Sequence, residues 1–145
     1  MSLSCSHFEP RWENNSGDMT RKALPSRRVS TTQKATINNI RTYLTVGHFK
    51  DGSPGELFLT VEGVGGDTRL LYDTVGRISS MALQYGMPLE KLVQLLLGVK
   101  GEISGPVQHH PRIKMCSSVL DYVGRELGIT YLEMEDLAHV KADDD

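Results

Sequence analysis

The chain has 145 residues, 39% hydrophobic and 23% charged, with a formal net charge of -2. That length suits one domain with its own core, and the composition is that of an ordinary globular protein. The small net charge argues against wholesale nucleic-acid binding, and the longest apolar run, Leu95-Leu96-Leu97, is far too short to span a bilayer.

Residues 1–23 are polar and aperiodic, and are expected to form a flexible N-terminal arm. Phe8 and Trp12 are its large apolar groups. No charged start followed by an apolar stretch marks a secretory signal there. Cys5 and Cys116 are too few for a disulfide framework, so a reducing, cytoplasmic setting is expected and the sequon Asn14-Asn15-Ser16 carries no meaning. Basic residues crowd the first third (Arg21, Lys22, Arg27, Arg28, Lys34 and Arg41), while residues 133–145 form an acidic tail. A basic flank of this kind is either plain solvated surface or a meeting place for phosphate or an acidic partner.

From Val29 to Glu62 the pattern is β. "RVSTTQKATI" alternates and is rich in β-branched residues, and Asn38-Asn39 supplies a turn. "IRTYLTVGHF" follows, with Leu44 and Val46 on one face and Tyr43, Thr45 and Phe49 on the other. Asp-Gly and Pro-Gly in "KDGSPGE" mark a reversal, after which Leu57, Leu59 and Val61 share a face. Three strands with short connections imply an antiparallel meander.

The period then changes. Leu71, Val75, Ile78, Ala82 and Tyr85 recur at helical spacing and are expected to face inward. Gly86 ends that helix and Pro88 opens the next, whose inward stripe is Leu89, Leu92, Val93 and Leu96, with Gly98 as its cap. "KGEISGPVQHHP" is expected to be a loop. A last helix is predicted over 113–127, with Cys116, Val119, Leu120, Val123 and Leu127 facing in and Gly128 capping it. "ITYL" is then a short strand or an extended lead into the tail. Strands followed by helices make the fold α+β: a small antiparallel meander followed by three helices packed on one face.

Two loops carry the candidate chemistry. Gly63-Val64-Gly65-Gly66-Asp67-Thr68 precedes a helix, where glycine lets backbone N–H groups approach a phosphate, and Arg69 follows. The Gly-Lys-Ser/Thr ending of a phosphate loop is missing and Asp67 opposes an anion, so the competing reading is a connection capped by Asp67 or Thr68. His109-His110-Pro111-Arg112 has no metal-ligand spacing, and is either a surface loop or an anion holder through His109 and Arg112. Arg27 and Arg28 are forked donors suited to a nucleotide or a protein carboxylate. The candidate ligand-binding set is therefore Arg27, Arg28, Gly65, Gly66, Thr68, Arg69, His109 and Arg112, with no catalytic residue and no metal ligand. Cys116 reads as a buried structural thiol, a small thiol enzyme being the weaker alternative.

From Leu24 to about Leu132 the chain resembles the C-terminal, TSCPD-type domain of adenosylcobalamin-dependent (class II) ribonucleotide reductases. "LPSRRVSTTQKATI", "YLTVGHFKDGSPGELFLTV", "ISSMALQYGMPLEKLVQLLLG" and "MCSSVLDYVGRELG" are similar to that domain's segments, in the same order. The name-giving Thr-Ser-Cys-Pro-Asp reads here Lys114-Met115-Cys116-Ser117-Ser118, and "EGVGGDT" is longer than the family's loop. The resemblance does not extend to the catalytic barrel, the radical-site cysteines, the cobalamin-binding region or the Cys-x-x-Cys shuttle. It therefore implies a domain spanning residues 24–132 that brings no cofactor of its own, since adenosylcobalamin belongs to the missing part. It implies a non-catalytic accessory of deoxyribonucleotide synthesis that binds a reductase subunit or a nucleotide. The alternative is a repurposed homo-oligomer, virus-encoded for instance, that acts as a sponge for a phosphorylated nucleotide-like ligand.

Overall fold

The computed structural model describes residues 20–141. Most of the expected N-terminal arm, with Phe8, Trp12 and Cys5, lies outside the described residues, as do residues 142–145 of the acidic tail. The fold is α+β. Strands β1 (Ser30–Ile37), β2 (Ile40–His48) and β3 (Pro54–Val61) form the meander. Asn38 and Asn39 link the first two with φ of 47° and 69°, the two left-handed positions of a type I′ hairpin.

The sheet is larger than the predicted meander. Strands β4 (Gly105–Gln108) and β5 (Met115–Cys116) extend it in the order β3-β2-β1-β4-β5, with every pairing antiparallel. β4 lies in the stretch expected to be a loop, and β5 in the first turn of the expected last helix. Both are short, and Gly105 and Pro106 break any alternation, so pairing of β4 with Thr36 and Ile37, and of β5 with β4, makes the strands where propensity does not.

Alternation assigns the two sheet faces. Ala35, Ile37, Leu44, Val46, Leu57, Leu59 and Val61 point into the core with Leu92, Val93, Leu96, Val119, Tyr122, Val123 and Leu127. Each such large side chain contributes about 1.5–3 kcal/mol by burial. The opposite face carries Thr32, Lys34, Tyr43, Thr45, Phe58 and Thr60, none of them fully buried.

Helices α1 (Gly66–Gln84), α2 (Leu89–Leu96) and α3 (Val119–Leu132) complete the fold. The corner between α1 and α2 follows the expectation. Gly86 has φ of 102°, its N–H reaches the Leu83 carbonyl, and the Met87 N–H reaches the Ala82 carbonyl, which is the Schellman arrangement.

The buried side of α1 is not the expected one. Gly76, Ser79, Leu83 and Gln84 are buried, whereas Leu71 and Ile78 stand 66% and 64% exposed. The helix is turned by about one residue, some 100°. The cause is what it packs against. β3 is an edge strand, and the Leu57 N–H on its outer side donates to Ser80 Oγ at 2.8 Å. The Ser80 hydroxyl sits 3.2 Å from the Leu57 carbonyl and 2.8 Å from that of Gly76. Gln84 Nε2 donates to the Gly55 carbonyl at 3.0 Å. A strand edge needs hydrogen-bond partners and close approach, so small and polar residues face it.

α3 differs at both ends from expectation. It begins after Ser118, whose Oγ accepts the Asp121 N–H at 2.9 Å, so Cys116 sits on β5 and not on the helix. Its other end passes Gly128 and includes "ITYL", stopping at Glu133, whose φ is 56°. Gly128 is no cap. A side chain there would meet Leu137 at 2.8 Å and Met134 at 3.1 Å, where the chain folds back through a 3₁₀ turn, Glu135–Leu137.

The rotation of α1 is tested by a pair of substitutions. A Cβ at position 76 would stand 2.9 Å from the Leu57 backbone oxygen. Gly76→Ala is therefore expected to cost about 1–3 kcal/mol by overpacking against a strand that cannot yield. Ile78→Ala, on the exposed side, should stay within about 0.5 kcal/mol of the wild type. Urea unfolding of both variants is the measurement, and the reverse ranking would refute the assigned face.

Candidate functional site

The predicted ligand-binding residues occupy separate places in one subunit. Arg28 lies beside the start of β1, where Nε donates to Glu56 at 2.7 Å and a second nitrogen donates to the Pro25 carbonyl at 2.6 Å. Arg27 beside it is exposed. Gly65, Gly66, Thr68 and Arg69 lie at the start of α1, with Gly66 and Arg69 beside Leu59 and Thr60 of β3 and away from the Glu56 that Arg28 holds. Gly65 is the N-cap of α1, with φ of -66° and no side-chain cap bond, so neither Asp67 nor Thr68 caps the helix. Asp67 instead sits in the first turn, where its charge suits the helix dipole. Gly66 and Arg69 line a shallow groove of about 340 Å³ with Leu59, Thr60, Leu70 and Asp73.

His109 and Arg112 lie toward the other edge of the sheet, beyond β1 and β4. His109, with φ of 67°, holds Thr36 Oγ1 through Nδ1 at 2.8 Å. Arg112 is spent on structure: Nε donates to the Val140 carbonyl at 3.0 Å and a terminal nitrogen pairs with Glu135. A site shared by all eight residues would need a second copy of the chain.

A different part of the surface gathers the segments that resemble the reductase domain. The β2–β3 turn contributes Asp51, Gly52, Ser53 and Pro54, and the α1–α2 corner contributes Gly86, Met87 and Leu89. With Lys22, Tyr131 and Leu132 they line one groove of about 510 Å³. Lys22 stands 4.2 Å over the Phe49 ring and 3.7 Å from Asp51. Asp51 accepts the Ser53 hydroxyl at 2.5 Å and the Ser53 N–H at 2.9 Å, and these bonds hold its carboxyl below its ordinary value. The groove is thus apolar at its base with one cation and one carboxylate at its rim.

Buried polar residues hold the surrounding elements in place, and one of them reaches Tyr131 in the groove wall. His48 donates Nδ1–H to the Val29 carbonyl at 2.8 Å and accepts the Tyr131 hydroxyl at Nε2 at 2.7 Å, which sets its tautomer. His110 has the opposite one. Its Nδ1 accepts the N–H groups of Arg112 and Ile113 at 3.0 Å each, so Nε2 carries the proton and donates to Glu126 at 2.6 Å. Asp121 is 1% exposed and binds the N–H groups of Gly98 and Ser117 and the Nε of Arg125 at 2.9–3.1 Å. Burial opposes its charge, but those three donors keep its carboxyl below the usual range. His48, His110, Asp121 and Tyr131 were not among the predicted residues. Asp121 sat in plain view in the family-like "VLDYVGREL", where an acid on an otherwise apolar helix face is the signal.

Cys116 is buried, as expected, and burial and the neighbouring Asp121 push its thiol up to about 11. At neutral pH it is neither ionised nor accessible, which removes the two requirements of a nucleophile. No group of three or more metal-ligating side chains occurs among the described residues. No described helix is long and apolar enough to cross a membrane.

Comparison with known proteins identifies this architecture. Residues 18–131 match the TSCPD domain. The chain belongs to the TSCPD domain family. It is 43% identical over 124 residues to a vitamin B12-dependent ribonucleotide reductase of Agrobacterium fabrum, covering 86% of this chain and 10% of that protein. It is 39% identical over 120 residues to the enzyme of that name from Bradyrhizobium diazoefficiens, covering 83% and 10%. For that of Rhodopirellula baltica it is 38% over 116 residues, covering 80% and 11%. The chain thus spans about a tenth of the length of these relatives. No solved structure matches it.

Two measurements probe the buried groups of this TSCPD domain. The Asp121 value is lower in the folded chain than in the unfolded one. Its charge therefore stabilises the fold above the unfolded value, and that contribution is lost as pH falls through the lowered folded value. Asp121→Asn should cost about 2–3 kcal/mol at neutral pH and flatten the acid side of a stability–pH profile. An unchanged acid limb would count against the assignment. In a Cys5→Ser background, Cys116 should resist iodoacetamide at pH 8 in the native chain and react readily in guanidinium. Equal rates in the two states would contradict its burial.

Proposed function

We propose that this TSCPD domain serves ribonucleotide reduction as a non-catalytic module that acts by binding a reductase subunit. The observation that carries this reading is the meeting of two segments in one groove. The turn Asp51–Pro54 and the corner Gly86–Leu89 resemble the reductase domain, and they come together on the surface with Lys22 and Tyr131. Neither segment belongs to the buried hydrophobic core, where Gly86 to Leu89 contribute only partly buried side chains. A concave, largely apolar surface with a few placed charges suits another protein better than it suits a free phosphate. The relatives that share these segments bear the name of vitamin B12-dependent ribonucleotide reductases and are about ten times longer than the matched stretch. A buried Cys116 with its thiol near 11 is in keeping with a binding role and not with thiol chemistry.

Calorimetric titration into a vitamin B12-dependent reductase tests the reading. Saturable binding is expected, together with a loss of affinity in Lys22→Glu and Ser53→Arg, both exposed positions whose replacement leaves the melting temperature unchanged. Absence of heat with the wild-type chain, and no change in reductase turnover on mixing, would sink it.

A further inference from the structure

α1 carries an apolar stripe on the side that β3 leaves free. Leu71, Ile78 and Met81 are 66%, 64% and 44% exposed, and half-buried Thr74 lies in line with them. Their spacing is three, four and three residues, the a/d spacing of a helix that packs along another helix. The stripe lies on the opposite side of α1 from the buried Gly76, Ser79 and Leu83. Thr74 suits such a seam, because its hydroxyl already donates to the Leu70 carbonyl at 2.8 Å and presents no unpaired donor. Phe58 of β3, 51% exposed, joins Thr74, Ile78 and Met81 in lining a groove of about 580 Å³ along α1, a recess for the ridge of a neighbouring helix. Scattered exposed leucines need no partner, but a continuous stripe beside a groove marks a contact surface.

The stripe is its own complement. A second α1 laid antiparallel across a two-fold axis at the level of Gly76 sets Leu71 against Met81 of the second copy and Thr74 against Ile78 of the second copy. Both pairs then recur by symmetry, as a contact between two identical patches requires. Charge obeys the same rule. Asp73 and Arg77 stand exposed on one flank of the stripe, and neither makes an ion pair among the described residues. Antiparallel pairing orders that flank as Asp73, Arg77 of the second copy, Arg77, and Asp73 of the second copy. Each arginine then has an acid of the other copy beside it. A parallel pairing would bring like charges to the same level, which opposes it.

We propose that α1 is a dimerisation element. Two copies of the chain pair antiparallel through Leu71, Thr74, Ile78 and Met81, and Asp73 of each copy meets Arg77 of the other. The contact uses neither a reductase nor the groove of Lys22 and Tyr131, so it holds or fails independently of the function proposed above.

Sedimentation velocity of the full chain over a dilution series reads the association directly. The wild type should be a dimer that dissociates on dilution, and the urea comparison of Gly76→Ala with Ile78→Ala belongs at dilutions where the single subunit prevails. Ile78→Glu should weaken the dimer by about 100-fold or more, and Leu71→Glu should act alike. Circular dichroism should not change in either, because both positions are exposed in the subunit. The charges report the register. Asp73→Arg and Arg77→Asp should each weaken pairing by about tenfold, since each gives the flank a single sign. Mixed in equal amounts, those two variants should form heterodimers at least as tight as the wild-type dimer. The double variant Asp73→Arg/Arg77→Asp should regain wild-type pairing. A wild type that is monomeric at every concentration, or that associates only when another protein is added, would overturn the proposal. So would a dimer that tolerates both glutamates, or charge variants whose mixing restores nothing.

Discussion

The free edge of β3 is the constraint from which much of this structure follows. An edge strand exposes backbone donors and acceptors along its whole length, and in this chain a helix covers them. Ser80 receives the Leu57 N–H, Gln84 reaches the Gly55 carbonyl, and Gly76 lets the two backbones touch. Meeting polar backbone rather than an apolar core dictates a polar contact side on α1. The apolar residues of the helix are left on the outside as a result, and the groove beside Phe58 exists because of it. Gln84 also anchors the entering chain at Arg21 and Lys22, so one helical turn closes the strand, positions the N-terminal entry and shapes one wall of that groove.

On the other side of the molecule the organising groups are buried and polar. Asp121 joins three parts of the chain: the end of α2 through Gly98, the approach to α3 through Ser117, and α3 itself through Arg125. Arg125 then donates to the Leu137 carbonyl, tying down the segment after α3. His110 pins the loop after β4 to α3 through Glu126, and His48 pins β2 to the end of α3 through Tyr131. Each imidazole is held in one tautomer by a different set of neighbours. Such fully bonded buried groups specify one arrangement of elements where apolar packing alone tolerates several.

The sequence disclosed what depends on local chemistry. Alternation placed the three long strands, Asn38-Asn39 marked the hairpin, and Gly86 and Pro88 marked the corner, because each works through its own backbone angles. It failed where the determining partner is distant. The face of α1 was misjudged because helical periodicity takes the apolar side as the inner one, and that holds only against an apolar neighbour. β4 and β5 escaped notice because distant partners make them strands, β1 for β4 and β4 in turn for β5. α3 was displaced because Ser118 caps it, and the apolar spacing before that serine belongs to β5 and its approach. The site was less legible than the fold. Arg28 and Arg112 are candidate ligand holders by residue chemistry, and in the structure each is also bonded to the chain's own carboxylates and carbonyls, which no local pattern discloses. The groove at the turn and the corner was not legible as a site: in the sequence those segments mark kinship of the fold, and only folding brings them together.

Both margins of the sheet are closed by different means. β3 lies under α1, and the opposite margin is β5, two residues long. Neither offers the run of unpaired backbone groups that strand addition requires. Between those margins β1 is covered by β4 only at Thr36 and Ile37, so the outer backbone of residues 30–35 has no strand beside it. That stretch is the place where an extended peptide would add by backbone pairing. Around it the described surface presents side chains, on the threonine- and aromatic-bearing outer face of the sheet and in the grooves beside it.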